Sequence, residues 1–238
     1  MSFRNIDYSI IGVDEAGRGP IFGPVVAAAV YFDEDLFIEG INDSKQLTEA
    51  KREELYEKIF LSAKFGIGIA TVEEIDLYNI LHATELAMNR ALDILSQYVE
   101  IKNVFIDGKN LKLKYPSTCI VKGDEKIYQI SAASILAKVT RDRIMEKFDK
   151  QLPEYNLAKH KGYPTPEHID SLKKYGPTPY HRITFEPVSQ LISRELADNW
   201  LKNNLISEQR YKVLLKYTEV DLFGNKRSSA KRSSKSRI

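Results

Sequence analysis

The chain has a single cysteine in 238 residues. That excludes a disulfide framework and, with it, a cysteine-based zinc site. Cys119 sits in the apolar run Thr118-Cys119-Ile120-Val121 and reads as a small core residue rather than a nucleophile. No apolar stretch approaches the roughly 18 continuous residues that a membrane span requires. Met1-Ser2-Phe3-Arg4-Asn5 has no signal-peptide apolar region behind it, which points to a cytoplasmic location. Acids are missing from the last fifteen residues, Gly224 to Ile238, which carry Lys226, Arg227, Lys231, Arg232, Lys235 and Arg237. Without those six, 29 basic residues face 33 acidic ones, so the body carries −4 although the whole chain is +2. The basic, Ser-rich tail is expected to be disordered, with non-specific contact to polyanions as its only electrostatic use. Overall charge therefore establishes no nucleic-acid binding.

What is present is a chain that is 43% hydrophobic and 29% charged, suited to one globular domain with an appendage. Tyr8-Ser9-Ile10-Ile11-Gly12-Val13, Val25 to Phe32 and Phe65 to Val72 read as strands. Thr48 caps a helix running to about Phe60, with Leu55, Ile59 and Phe60 on its apolar side. Leu81, Leu86, Ala87, Ala91, Leu92, Ile94 and Leu95 mark a long helix from about Glu73 to Tyr98. Val104 to Asp107 and Thr118 to Val121 are short buried strands. A helix begins at Ser131-Ala132-Ala133-Ser134, whose small side chains permit close backbone packing, and reaches Phe148. Pro153 to Pro187 is rich in turn residues and reads as loops with short helices. Amphipathic helices follow around Val188–Leu196 and Asn199–Tyr217. The order predicts an α/β fold, a mixed β-sheet flanked by helices.

Chemistry concentrates at the strand ends. Asp14-Glu15, Asp107-Gly108 and Gly123-Asp124 each place acid at or just beyond a strand. Singly, each reads as an ordinary turn pair. Neighbouring strands in one sheet would bring them to one edge, where loops build ligand sites. Alternation sends adjacent strand residues to opposite faces, so Asp14 and Glu15 share a site only if the strand ends or bulges there. Four close carboxylates repel unless divalent cations neutralise them, and oxygen-only ligands suit Mg²⁺ or Mn²⁺. The glycine-rich turn after Glu15 leaves backbone groups open to a ligand.

These segments together resemble the type 2 ribonuclease H family, ribonuclease HII. The resemblance rests on residues 12–20 (Gly-Val-Asp-Glu-Ala-Gly-Arg-Gly-Pro), Asp43-Ser44-Lys45-Gln46-Leu47, Ile106-Asp107-Gly108, Lys122-Gly123-Asp124, the Ser131 to Asp142 block, and Gly162-Tyr163-Pro164. It spans roughly residues 10–187 and excludes the C-terminal tail. It implies a ribonuclease H-like catalytic domain over residues 1–187; the amphipathic helices over 188–223 read as an extension packed on it, and 224–238 as the basic tail. It further implies that Asp14, Glu15, Asp107 and Asp124 bind two Mg²⁺ or Mn²⁺ ions and that phosphodiester hydrolysis leaves 5′-phosphate and 3′-hydroxyl ends. By the same resemblance, backbone at Gly17, Arg18 and Gly19 meets the ribose 2′-hydroxyl. Tyr163 packs on the following sugar, and Lys45 and Lys122 contact phosphate. The Arg18 side chain is open between a phosphate contact and an ion pair with the acids, and His160 is left outside the catalytic set as structural.

The implied substrates are RNA/DNA hybrids and duplex DNA containing ribonucleotides, cut on the 5′ side of the ribonucleotide by a protein that need only be a monomer. Two other readings compete with this one. A nuclease for branched DNA keeps the fold but has no use for the Gly17-Arg18-Gly19 and Tyr163 segments. A non-catalytic hybrid-binding protein would show no turnover for an Asp107→Asn substitution to remove.

Overall fold

In the computed structural model, residues 6–33, 36–41 and 47–218 are described. Lys45 and the basic tail, 224–238, lie outside them. Five strands form one mixed sheet: β1 (Ile11–Ala16), β2 (Val25–Tyr31), β3 (Lys64–Ala70), β4 (Val104–Asp107) and β5 (Ser117–Ile120), in the order β3-β2-β1-β4-β5. β2 is antiparallel to both β1 and β3, whereas β1, β4 and β5 run parallel. The C-terminal ends of three strands therefore open on the same edge of the sheet.

Helices cover both faces, and β2 shows how the sequence divides between them. Val25, Ala27 and Ala29 join Ile11 and Val13 in a core under α2 (Val72–Leu95). Ala28 and Val30 face the other way, onto α1 (Glu49–Ser62) and α3 (Tyr128–Gln151). Period-two alternation in a strand buried on both sides explains its unbroken apolar composition. The small residues opening α3 serve close packing: a Cβ on Gly12 of β1 would lie 2.2 Å from the Gln129 carbonyl carbon.

Capping sets several boundaries. The Thr48 hydroxyl accepts from the Lys51 amide, and Thr71 and Glu74 close a reciprocal capping box on α2. α2 differs from the continuous helix read in the sequence. It ends at Leu95, and Asn79 breaks it with φ 72°. The Asn79 side chain accepts from the amides of Leu81 and His82, so it restarts the helix as an internal cap. Phe60 and Ile94, assigned to apolar faces, are exposed. Phe60 instead stacks on Tyr56 at the surface. β1 begins three residues later than read, because Asp7 accepts from the Ser9 amide and hydroxyl in a local turn.

Beyond α3 come the short α4 (Leu157–His160) and α5 (Pro166–Tyr175). The C-terminal helices are α6 (Arg194–Lys202) and α7 (Glu208–Thr218). Their break falls at 203–207, not near Ala197, because Ser193 caps α6 and the Ser207 hydroxyl accepts from the Arg210 amide. Trp200 and Leu214 pack with Ile21, Leu172 and Ile183 in a third core. Arg210 of α7 and Asp76 of α2 form a buried ion pair at 2.9 Å.

Gly12→Ala is expected to destabilise the protein by about 1–3 kcal/mol, since the new methyl meets helix backbone that cannot yield by a rotamer change. Urea unfolding checks this, and an unchanged midpoint would show that α3 does not lie as close to β1 as described.

Candidate active site

The three parallel strands each deliver an acid to their shared edge. Asp14 lies within β1, Asp107 ends β4, and Asp124 sits in the 3-10 turn Gly123–Glu125 just after β5. Each offers an oxygen, and these atoms all lie within 4.8 Å of one another. The pairing of β1 with β4 stops at Val13 and Ile106, so the acids occupy the gap where the ladder ends.

Local hydrogen bonds orient them. Asp14 Oδ1 accepts from the Glu15 amide at 2.7 Å, and Ser134 of α3 also bonds to the Asp14 carboxylate. Asp107 Oδ1 accepts from the Gly123 amide at 2.6 Å, which ties β4 to the Asp124 turn. The Ser131 hydroxyl donates to the Asp124 carbonyl. Burial, and then the charges of Glu15 and Asp107, push Asp14 well above the ordinary carboxylate range. A divalent cation would reverse that effect, and the cluster presents only hard oxygen donors. The residues present therefore fit Mg²⁺-like ions.

Glu15 follows no bulge: Gly12 to Ala16 pair residue for residue with Val30 to Val26. It lies outside the three-acid group yet lines the same cavity of about 400 Å³, which opens where β1 loses its β4 neighbour beyond Val13. Its carboxylate takes an ion pair from Arg18 at 3.3 Å.

The cavity gathers most of the residues singled out from sequence. Asp14, Glu15, Gly17, Arg18, Gly19, Asp107 and Tyr163 line it. Gly17 adopts φ +100°, and a Cβ there would lie 2.1 Å from Arg141 Nε. Tyr163 is 44% exposed and stands 3.2 Å from where a Gly19 Cβ would be, so ring and glycine loop form one rim. Lys122 is not on this lining; its ammonium pairs with Glu125 at 2.9 Å, and its backbone takes φ 56°.

Sequence reasoning missed Arg52, Ser134, Lys138 and Arg141, which also line the cavity. Three of these were detectable. Ser134, Lys138 and Arg141 recur at helical spacing within one α3 block and so share a face. Arg182, fully buried behind the glycine loop, carried no such signal.

A layer of histidines supports Tyr163. His160 bonds the Tyr155 carbonyl and the Gly162 amide, and His168 Nδ1 bonds the Tyr163 carbonyl at 3.0 Å. His168 and His181 meet through their Nε2 atoms at 3.3 Å. His160 is thus built into the scaffold, as the sequence reading had it.

The sheet order and carboxylate edge define a class first: a metal-dependent nuclease site on a ribonuclease H-like fold. A family model described as Ribonuclease HII matches residues 11–188. Ribonuclease HII of Thermotoga maritima is 53% identical over 206 residues, covering 87% of this chain and 85% of that protein. The ribonuclease H2 structure from Pyrococcus horikoshii superposes with a TM-score of 0.60 at 31% identity, covering 82% of this chain and 99% of that one. A chain in the PCNA:RNase HII complex from Archaeoglobus fulgidus gives 0.63 at 27% identity, covering 74% and 95%. The chain belongs to the ribonuclease HII family, and it is a hydrolytic, metal-dependent ribonuclease H whose family acts on RNA/DNA hybrids.

Burial, then the neighbouring His160 ring, holds His168 down to about 4, and burial holds His181 well below its ordinary value. The unfolded chain therefore binds more protons between pH about 6.5 and about 4, so stability falls as pH drops through that window. His168 alone contributes roughly 3 kcal/mol to the loss. Urea unfolding at pH 7 and pH 4 measures it. An unchanged slope in a His168→Phe protein would contradict it.

Proposed function

We propose that this protein hydrolyses the phosphodiester on the 5′ side of ribonucleotides embedded in duplex DNA, as well as RNA in RNA/DNA hybrids. Products would carry 5′-phosphate and 3′-hydroxyl ends, and the reaction would start ribonucleotide removal from DNA. The observation that carries this reading is the rim of Gly17, Arg18, Gly19 and Tyr163 on the same cavity as the acids. A site that only cut phosphodiesters would need the acids alone. Backbone groups and an exposed ring beside them suit a sugar.

Asp14, Asp107 and Asp124, with Glu15 beside them, would hold two Mg²⁺ or Mn²⁺ ions. When bound, these ions supply an attacking water of lowered pKa and stabilise charge on the leaving 3′ oxygen. The chain's own groups do the rest. Ser134 and the Glu15 amide fix the Asp14 carboxylate, and the Gly123 amide fixes Asp107. Arg52 and Lys138 face the cavity from its walls, where cations suit phosphates and position a duplex without reading its sequence. Lys45 and Lys122 would extend those contacts.

The 2′-hydroxyl both donates and accepts, so exposed amides beside the scissile position separate ribose from deoxyribose. Tyr163 would pack on the next sugar, where a second 2′-hydroxyl would crowd the ring and so favour an RNA-to-DNA junction. Residues 188–223 are read as an extension of this body, and its described part, 188–218, is anchored by Arg210 on Asp76.

A duplex with one ribonucleotide should be nicked once, on its 5′ side, with Mg²⁺ or Mn²⁺, and the all-DNA duplex should stay intact. Equal cutting of both duplexes, or none with either metal, would refute the proposal. Asp107→Asn is expected to abolish turnover while hybrid binding survives; retained turnover would remove Asp107 from the chemistry. Tyr163→Ala should weaken junction cleavage while changing stability by less than about 0.5 kcal/mol. Unchanged junction cleavage would take Tyr163 out of the site.

A further inference from the structure

Two arginines lie buried beneath the glycine loop, and their guanidinium groups donate to backbone carbonyls. Arg141 Nε donates to the Pro24 carbonyl at 3.1 Å, and its terminal nitrogens donate to Phe22 and Lys161. Arg182 reaches four carbonyls: Nε donates to Gly23 at 2.9 Å, one terminal nitrogen to Arg18 at 3.0 Å, and the other to Gly17 and Pro24. Burial, then the neighbouring Arg141, lowers Arg182 to about 9, which leaves it charged at neutral pH. These are charge-assisted bonds from a planar donor fork, the geometry that lysine lacks.

The consequence follows from peptide geometry. In a trans peptide the carbonyl and the amide of the same unit point in opposite directions. Both relevant peptides are trans, since the cis bond among the described residues is Glu186-Pro187. Arg182 draws the Gly17 and Arg18 carbonyls inward, so the amides of Arg18 and Gly19 turn outward. Those residues line the cavity. Among the described residues, neither amide donates to a protein group.

Arg182 is itself held in place. Its own amide donates to the Ile21 carbonyl at 2.8 Å, and Phe22 bridges to His181. Arg210 bonds the Pro179 and His181 carbonyls, and the Thr184 hydroxyl bonds Asp76. The segment carrying Arg182 is therefore clamped on both sides.

We propose that Arg182 is a positioning residue for sugar selection: by gripping the Gly17 and Arg18 carbonyls, it aims two amides at the ribose 2′-oxygen. This rests on reading the cavity as a ribonucleotide site. Arg182 touches no substrate; its effect runs through the loop. Arg141 holds the far end of the same loop and neither of those two carbonyls, so its loss should act on stability rather than on sugar preference.

The test is equilibrium binding to two duplexes that differ by one ribonucleotide, in an Asp107→Asn background so that neither strand is cut. With Arg182 intact, the ribonucleotide duplex should bind more tightly. Arg182→Met should lose about tenfold of that preference, as expected for losing one or two well-made hydrogen bonds, with all-DNA affinity unchanged. Arg182→Lys keeps the buried charge without the fork and carries the same measurement if Arg182→Met does not fold. Retained preference in the lysine variant, or parallel loss of both affinities, would overturn the proposal. Absence of any preference with Arg182 intact would instead overturn the ribonucleotide reading beneath it.

Discussion

Mutual repulsion among carboxylates that the fold forces together is the constraint around which this molecule is built. Asp14 is buried and has Glu15 and Asp107 close enough to oppose its ionisation. Nothing in packing alone favours that arrangement, because an isolated buried carboxylate is strongly penalised. The sheet topology imposes it. Three parallel strands end together, and each carries its acid to the same edge. Ser134, the Glu15 amide and the Gly123 amide then fix the acids in orientations that suit hard cations.

The surrounding structure stiffens that edge. α3 runs against Gly12 at backbone distance and offers Ser134, Lys138 and Arg141 to the cavity. Behind the loop, Arg141 and Arg182 replace what a β-ladder would have supplied, satisfying carbonyls that turn away from the sheet. His168 and His181 support the opposite rim beneath Tyr163, uncharged at neutral pH because they are buried. The carboxylate cluster and the rim of Gly17 and Tyr163 thus share a wall but rest on different supports.

Much of this was legible in the sequence. Apolar runs located the strands, and the acids after them were visible because a charged residue ending a buried run is unusual. Gly17 announced a turn and proved to need a positive φ. Less visible was anything that depends on who lies opposite. The break at Asn79 comes from its side chain recapping α2, and nothing in the apolar spacing marks it. Arg182 sits in a Pro- and His-rich loop where an arginine normally faces water, and only the closed fold reveals four carbonyls waiting for it. Glu15 was the subtler case: alternation puts it on the other face from Asp14, yet the loss of the β4 neighbour beyond Val13 lets both reach one opening.

In the proposed reaction, one cavity both binds the ions and recognises the ribose. A crystal structure with a duplex containing one ribonucleotide and a divalent ion tests it most directly. Ion density is expected among Asp14, Asp107 and Asp124, with the 2′-oxygen within hydrogen-bonding distance of the Arg18 or Gly19 amide. Ions bound elsewhere, or a ribose turned away from that loop, would contradict it.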